Sequence, residues 1–278
     1  MIADGNAAGS AFRFPNTVYN AAGGYLSICS GIKGYNATIT NGAQSGLASV
    51  AYGCEIIRQN KGSVVLATGT DENCDVMEGL YGKLGMVSDT VNSAYSEGAG
   101  FVLGDGSTSL VLESEESLKA RGGRAYAEVT GYGMSHKSVD FATVEGSEEA
   151  LVEAVRLACE DAGITADEID AVVGFGNGMS QVDSVEVEGY RKIFGDSLKD
   201  KPVFTVKDTT GEGRAASAAL SAGHAALMLS GRLSDKCSCY IYNGNKMEAA
   251  AAEIGGLKKI LVTSYGIGGS YCAVVVEK

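Results

Sequence analysis

Asn36-Ala-Thr-Ile-Thr-Asn-Gly-Ala43-Gln44-Ser45-Gly46-Leu-Ala-Ser-Val-Ala-Tyr-Gly-Cys54-Glu-Ile-Ile57 decides how the chain is read. Its pattern predicts a short β-branched strand at 36–41, a tight turn of small residues, and a long helix at about 44–60. The helix carries apolar residues at Leu47, Val50, Ala51, Cys54 and Ile57, one face at helical spacing. A side chain on such a turn lies over the first free N–H groups of the helix. An anionic nucleophile would be stabilised there. The turn holds Ala43 and Gln44, neither a strong nucleophile. The local architecture points to an active site whose chemistry is absent.

Outward from this stretch, residues 1–20 look irregular, with Phe12, Phe14 and Val18 as anchors, and 20–31 reads as a small-residue helix closed by Gly31 or Gly34. Residues 63–68 form a continuous apolar run, expected as a buried strand. A polar excursion at 71–97 follows, then a strand pair or bent strand at 99–113. A second unit starts near Arg124. It is expected to contain a strand at 125–133, a helix from Ser147 (as N-cap) to Ala162 with Gly163 as its stop, and a strand ending near Gly174. Beyond these come a helix at 181–194, a strand at 203–206, an Ala-rich helix at 213–230, a strand at 238–242 and a closing pair at 259–264 and 271–276. Strand 36–41, helix 44–60 and strand 63–68 repeat the order of 203–206, 213–230 and 238–242, a weak internal duplication.

The chain has 278 residues, 39 of them Gly and 2 Pro, which suits close helix–sheet packing in an α/β protein. A net charge of −12 disfavours nucleic acid and anionic membrane surfaces as partners. No apolar run approaches the ~18 residues that suggest a membrane span, and the first residues lack the pattern of a signal peptide. The seven cysteines are scattered. Cys237-Ser-Cys239 is too isolated for a zinc site, so buried thiols in a reducing cytoplasm are expected, with neither metal nor cofactor. Gly100–Gly106 and Gly266, Gly268 and Gly269 match no phosphate-loop pattern and read as backbone turns.

Pro15-Asn-Thr-Val18, Ser45-Gly46-Leu47, Gly100-Phe-Val-Leu-Gly-Asp-Gly106, Lys207 followed by Thr210-Gly211, and Ser264-Tyr-Gly-Ile-Gly-Gly269 resemble, in that order, the β-ketoacyl synthase (ketosynthase) family. The resemblance covers essentially the whole chain, but only about the last two thirds of a typical member. It implies a thiolase-like α/β fold of two pseudo-symmetric halves packed through central helices. Residues 1–123 would be the remainder of the N-terminal half, and 124–278 the C-terminal half. The second half has a strand–helix–strand–helix stretch (125–194) before its 203–206 strand, which the first half lacks. The expectation is therefore a fragment, or a separate chain that supplies the missing strands.

In that family a Cys attacks an acyl thioester, and two His assist decarboxylation of the extender unit. Anchored on Ser45-Gly46-Leu47, the Cys position here is Ala43; with Asp183 and Glu186 as anchors, the first His position is Phe175; after Thr210-Gly211, the second is Glu212. A one-residue slip would put Gln44 in the nucleophile position. Lys207 matches the family's lysine, the family's helix glutamate falls on Ser221, and the near-invariable Phe of the Gly-rich gate is Ile267, ahead of Gly268 and Gly269. His136 and His224 match neither His position, and Cys29 and Cys54 read as core.

The resemblance thus implies a catalytically silent, chain-length-factor-like subunit. It would pair as a heterodimer with an active ketosynthase in fatty-acid, polyketide or aryl-polyene chain elongation, and line the acyl tunnel through helix 44–60, strand 36–41 and the Ile267 region. Acidic acyl carrier protein would dock on the partner. The alternatives are an active acyltransferase with rearranged chemistry, for instance through Cys29, or a structural chain of a split thiolase-like assembly.

Overall fold

The computed structural model describes residues 14–278 apart from 91, 99, 141 and 142, and its chain falls into two compact units, up to Thr40 and from Asn41. Phe12, expected as an anchor, lies outside the described residues. In the first unit a 3-10 turn (Phe14–Thr17) precedes helix α1 (Ala21–Ser30). Gly31 ends α1 at φ 65°, where its lack of Cβ makes the left-handed turn free of strain. Tyr25 Oη donates to Asn16 Oδ1 at 2.9 Å, and Asn36 Nδ2 to the Gly23 carbonyl at 3.1 Å.

The second unit begins with helix α2 (Ser45–Arg58), strand β1 (Val64–Asp71), α3 (Asp75–Lys83), β2 (Gly106–Glu113) and α4 (Glu115–Ala120). Next come β3 (Glu128–His136), α5 (Glu148–Ala162), β4 (Ala171–Val173), α6 (Ser180–Phe194), β5 (Val203–Phe204), α7 (Lys207–Thr210) and α8 (Ala215–Leu229). Strands β6 (Lys236–Tyr242), β7 (Met247–Glu253), β8 (Lys259–Gly266) and β9 (Ser270–Glu277) close the chain. Strands β3 to β9 form a seven-stranded mixed sheet in the order β3-β9-β8-β4-β5-β6-β7, with β4 parallel to both β8 and β5. Strands β1 and β2 pair antiparallel as a separate two-stranded sheet.

Period-two alternation divides the central strands between two apolar layers. Leu261 on β8 and Tyr271, Ala273 and Val275 on β9 face one core, with Leu151, Val155, Val182 and Tyr190 of α5 and α6. Ile260, Val262, Cys272, Val274 and Val276 face the other, with Leu47, Val50, Ala51 and Cys54 of α2 and Ala218, Ala222, Ala225 and Met228 of α8. Covered on both faces, β8 and β9 read as continuous apolar runs. Small residues set how closely α2 and α8 approach. A Cβ on Gly46 would stand 1.9 Å from the Ala215 carbonyl oxygen, and one on Gly69 of β1 would stand 2.1 Å from the same atom.

Several expectations are corrected. Residues 36–40 form no strand. Asn41 makes only an isolated bridge to Ala43, because its N–H is turned onto the Ser45 hydroxyl at 2.7 Å. The apolar run at 63–68 is a strand but not a buried one, since Val64 and Leu66 stay exposed on the two-stranded sheet. The polar excursion contains α3, whose Asp75 and Glu78 lie favourably in its first turn. Strand 125–133 is shifted to 128–136. Ser147 precedes α5, but its hydroxyl bonds Val144 O and Tyr271 Oη rather than capping the helix. Strand β7 was not anticipated, because Met247-Glu-Ala-Ala-Ala-Ala-Glu253 has the composition of a helix.

Candidate active site

The turn before α2 is built as its residues suggest. Gly42 sits at φ 64°, Ser45 N–H donates to Gly42 O at 3.1 Å, and the Ser45 hydroxyl donates to the same carbonyl at 2.7 Å. Ala43 thereby projects a methyl group at the wall of two adjoining cavities. One is lined in part by Ala43, Phe175, Lys207, Arg214, Ser264 and Tyr265. The other, of about 80 Å³, is lined in part by Ala43, Tyr81, Phe101, Glu212, Arg214 and Ile267. Among the described residues, no Cys or His lines either one.

The loop after β4 carries Phe175, and buried carboxylates of α6 hold its backbone. Phe175 N–H donates to Glu186 Oε1 at 2.7 Å; Asn177 and Gly178 N–H donate to Asp183 at 2.9 and 3.1 Å. Burial pushes the Asp183 carboxyl up to about 7 despite these donors, and also raises Glu186. The Phe175 ring lies 5.1 Å from that of Tyr265 and 5.9 Å from that of Tyr271, packed rather than free.

Glu212, 1% exposed, is the hub. Its Oε2 accepts from Lys207 Nζ at 2.7 Å and from Asn177 Nδ2 at 2.8 Å, and its Oε1 accepts from Arg214 N–H at 2.9 Å. Lys207 Nζ also donates to Phe175 O at 3.0 Å and lies 5.0 Å over the Tyr265 ring. Burial and the nearby Glu212 charge raise the Tyr265 phenol well above its ordinary range, so it stays neutral. Every charge at the centre is therefore engaged, and the carboxylate is fixed as an acceptor of hydrogen bonds.

The structure brings Ala43, Phe175, Lys207, Glu212 and Ile267 together around the cavities, and Ser221, which donates to Ser217 O at 3.0 Å, lines the first of them as well. Gln44 is buried beside the turn, but it lines neither cavity. Gly268 and Gly269, at φ 95° and 92°, are backbone: a Cβ on Gly269 would stand 2.0 Å from Lys137 O. His224 is half-buried on α8, where burial lowers its pKa, and His136 is exposed at the end of β3. Burial pushes the Cys54 thiol up to about 11, whereas Cys29 is exposed on α1. Sequence reasoning missed Asn177, Tyr265 and above all Arg214. A lone cation opening the Ala-rich run Ala215-Ala-Ser-Ala-Ala-Leu220 was the available signal for the last.

This α/β arrangement is the thiolase-like ketosynthase fold. The chain belongs to the β-ketoacyl synthase family: residues 2–117 match the model of the family's N-terminal domain, and 126–236 that of its C-terminal domain. It is 33% identical over 214 residues to the 3-oxoacyl-[acyl-carrier-protein] synthase 2 of Vibrio cholerae, covering 73% of this chain and 51% of that one. To nodulation protein E of Rhizobium leguminosarum bv. trifolii it is 29% identical, covering 74% of this chain and 52% of that one. The chain thus spans about half the length of the curated relatives it matches. Among solved structures, the ishigamide ketosynthase/chain length factor superposes with a TM-score of 0.88 at 23% identity, over 100% of this chain and 69% of that one. A type II polyketide ketosynthase in complex with its acyl-carrier protein superposes at 0.87 and 21% identity, over 96% and 69%.

Proposed function

We propose that this chain is a non-condensing member of its family that pairs with an active ketosynthase and lines part of the acyl tunnel, as a chain-length factor does. In this reading Ala43, Phe175 and Glu212 occupy the nucleophile and the two His positions. Residues 1–123 and 124–278 are the two halves of the fold, and the setting is cytoplasmic. The observation that carries the reading is the state of Glu212. Both its oxygens already accept hydrogen bonds, from Lys207, Asn177 and the Arg214 N–H, and the acidic half of that ion pair would repel an enolate forming beside it.

A large partner is supported by the first unit. Phe14, Tyr19, Tyr25, Ile28 and Tyr35 are exposed there, and Lys33 is the one charged residue of 14–40. A concentrated apolar, nearly uncharged surface is typical of the core of an obligate interface. The net charge of −12 repels an acidic carrier protein, which would then dock on the partner. Co-expression with a ketosynthase that retains its Cys and His, followed by affinity purification and a condensation assay, tests this. A stoichiometric pair, active only through the partner's Cys, is expected. Condensation of acyl and malonyl thioesters by this chain alone would overturn it.

A second reading, a structural chain of a split assembly, is favoured by one observation. Val64 and Val111 on the two-stranded sheet are 54% and 68% exposed, more than an isolated pair of strands tolerates well. Additional strands from a separate polypeptide would cover them. This reading predicts that the chain is insoluble alone and is rescued by co-expression of a polypeptide carrying strand–helix–strand.

A further inference from the structure

Asn is followed by Gly at three places in the chain: Asn41-Gly42, Asn177-Gly178 and Asn243-Gly244. Such a pair is chemically labile. Glycine has no side chain to screen its backbone nitrogen, which attacks the preceding carboxamide carbon when both groups are free. The fold treats the three pairs differently. At Asn177 both groups are taken. Gly178 N–H donates to Asp183 Oδ2 at 3.1 Å, and the buried carboxamide bonds Glu212, Tyr265 and the Met179 N–H. Asn243 is exposed, but its Oδ1 accepts from the Asn245 and Lys246 N–H groups, both at 2.9 Å, which hold the carboxamide in place.

At Asn41 neither group is engaged. The residue is exposed, its carboxamide makes no hydrogen bond among the described residues, and the Gly42 N–H donates to none of them. Ser45 holds the groups on either side, the Asn41 N–H at 2.7 Å and the Gly42 carbonyl at 2.7 Å, and leaves the peptide bond between them unpaired. The turn has little room for a longer backbone. A Cβ on Gly266, at the end of β8, would stand 3.2 Å from the Asn41 carbonyl oxygen, and one on Gly42 would stand 3.6 Å from Gly266 Cα. Gly42 also lines the larger cavity, beside Ala43 and Ile267.

We propose that Asn41 is a site of spontaneous deamidation, and that its isoaspartyl product unseats the turn before α2 and alters the larger cavity. The Gly42 nitrogen bonds to Asn41 Cγ and releases its proton. The Cγ–Nδ2 bond breaks, and the nitrogen leaves with that proton as ammonia. Water then opens the cyclic imide. Cleavage at Cγ yields aspartate with the chain unchanged. Cleavage at the backbone carbonyl carbon yields isoaspartate, whose chain runs through Cγ and is longer by one carbon. Either way a carboxylate replaces a neutral amide, and the net exchange is water for ammonia. Packed against Gly266, the turn has no space for the added carbon, so the Ser45 contacts to Asn41 and Gly42 break.

The test ages the purified full chain in mildly alkaline buffer, digests it, and separates the amide, aspartyl and isoaspartyl forms of each peptide by chromatography with mass spectrometry. Each rate in the folded chain, divided by the rate for the same pair in denaturant, isolates the effect of the fold. This ratio is expected to be highest at Asn41. At Asn243 it is lower on the order of 5-fold or more, since the carboxamide first leaves its hydrogen bonds, and at Asn177 conversion stays undetected. The aged wild type is expected to melt lower than fresh protein. Asn41→Gln, which would need a less favoured six-membered ring, is expected to age without that loss. A ratio at Asn41 no higher than at Asn243 or Asn177 overturns the proposal. So does isoaspartyl protein, isolated from the aged sample, that melts as the fresh protein does.

Discussion

Replacing Glu212 by Ala removes the hub of the buried cluster. Lys207, with its side chain 5% exposed, would lose the carboxylate 2.7 Å away and keep only the Phe175 carbonyl and the face of Tyr265. Asn177 Nδ2 and the Arg214 N–H would each lose an acceptor as well. Breaking a buried ion pair on one side costs about 3–5 kcal/mol, because the remaining charge is uncompensated. With an unfolding entropy of ~2.1 cal/mol/K per residue, that corresponds to a fall in Tm of about 5–9 °C for a chain of this size. Calorimetry on the purified protein or complex reads it directly. A second expected outcome is less intuitive. Lys207→Met combined with Glu212→Leu removes both charges, and is expected to recover most of the loss, since apolar replacement of a buried pair is often neutral. If Glu212→Ala melts within 1 °C of the parent, or the double variant is no better than the single one, the cluster does not work as described.

Other outcomes follow from the same geometry. Gly46→Ala sets a methyl group against the Ala215 carbonyl at 1.9 Å and is expected to cost at least the ~3 kcal/mol at the upper end of ordinary overpacking, read by denaturant melts. Asp183, about 3.8 when free, titrates near 7 in the fold, so the folded state holds the extra proton between those values. Stability is therefore greatest at the acid end of that window, falls as pH rises from about 4 to about 7, and is flat above it. Asp183→Asn should remove this contribution, leaving the same-sign one of Glu186 and the opposing one of His224, whose pKa burial lowers. Iodoacetamide at neutral pH should label the exposed Cys29 and Cys74 and spare Cys54 and Cys272, whose thiols burial raises. Acyl transfer lost specifically on Cys29→Ala would favour rearranged chemistry over a silent subunit.

The helices around the site were legible because their apolar spacing is long and uninterrupted: α2, α5, α6 and α8 each end within two residues of the expected limits. Residues 36–41 were not. Ile39 and the flanking threonines have strand propensity, but propensity supplies no partner strand, and the Ser45 hydroxyl takes the Asn41 N–H instead. Strand β7 was hidden for the converse reason. Four consecutive alanines prefer a helix, and cross-strand pairing with Cys237–Tyr240 overrides them. Site positions could be read off only where a motif anchored them. Arg214 has no motif, and its burial and its pairing with Asp71 are set by the fold.

That Ala43 stands on an intact nucleophile-style turn needs no selection for nucleophilic chemistry to explain it. The turn also sets the start of α2, and the start of α2 sets a close approach between elements, where Gly46 and Gly69 both back onto the Ala215 carbonyl. Ser45 serves the same purpose by tying Asn41 and Gly42 to the first turn of the helix. These constraints concern packing between α2, β1 and α8, and they hold whether residue 43 bears a thiol or a methyl group. The side chains that would carry chemistry face the cavities, where packing demands less. On the proposed reading, the scaffold persists while its reactive groups are exchanged, and each replacement is satisfied where it lies: Phe175 by the tilted rings of Tyr265 and Tyr271, and Glu212 by its lysine and amide.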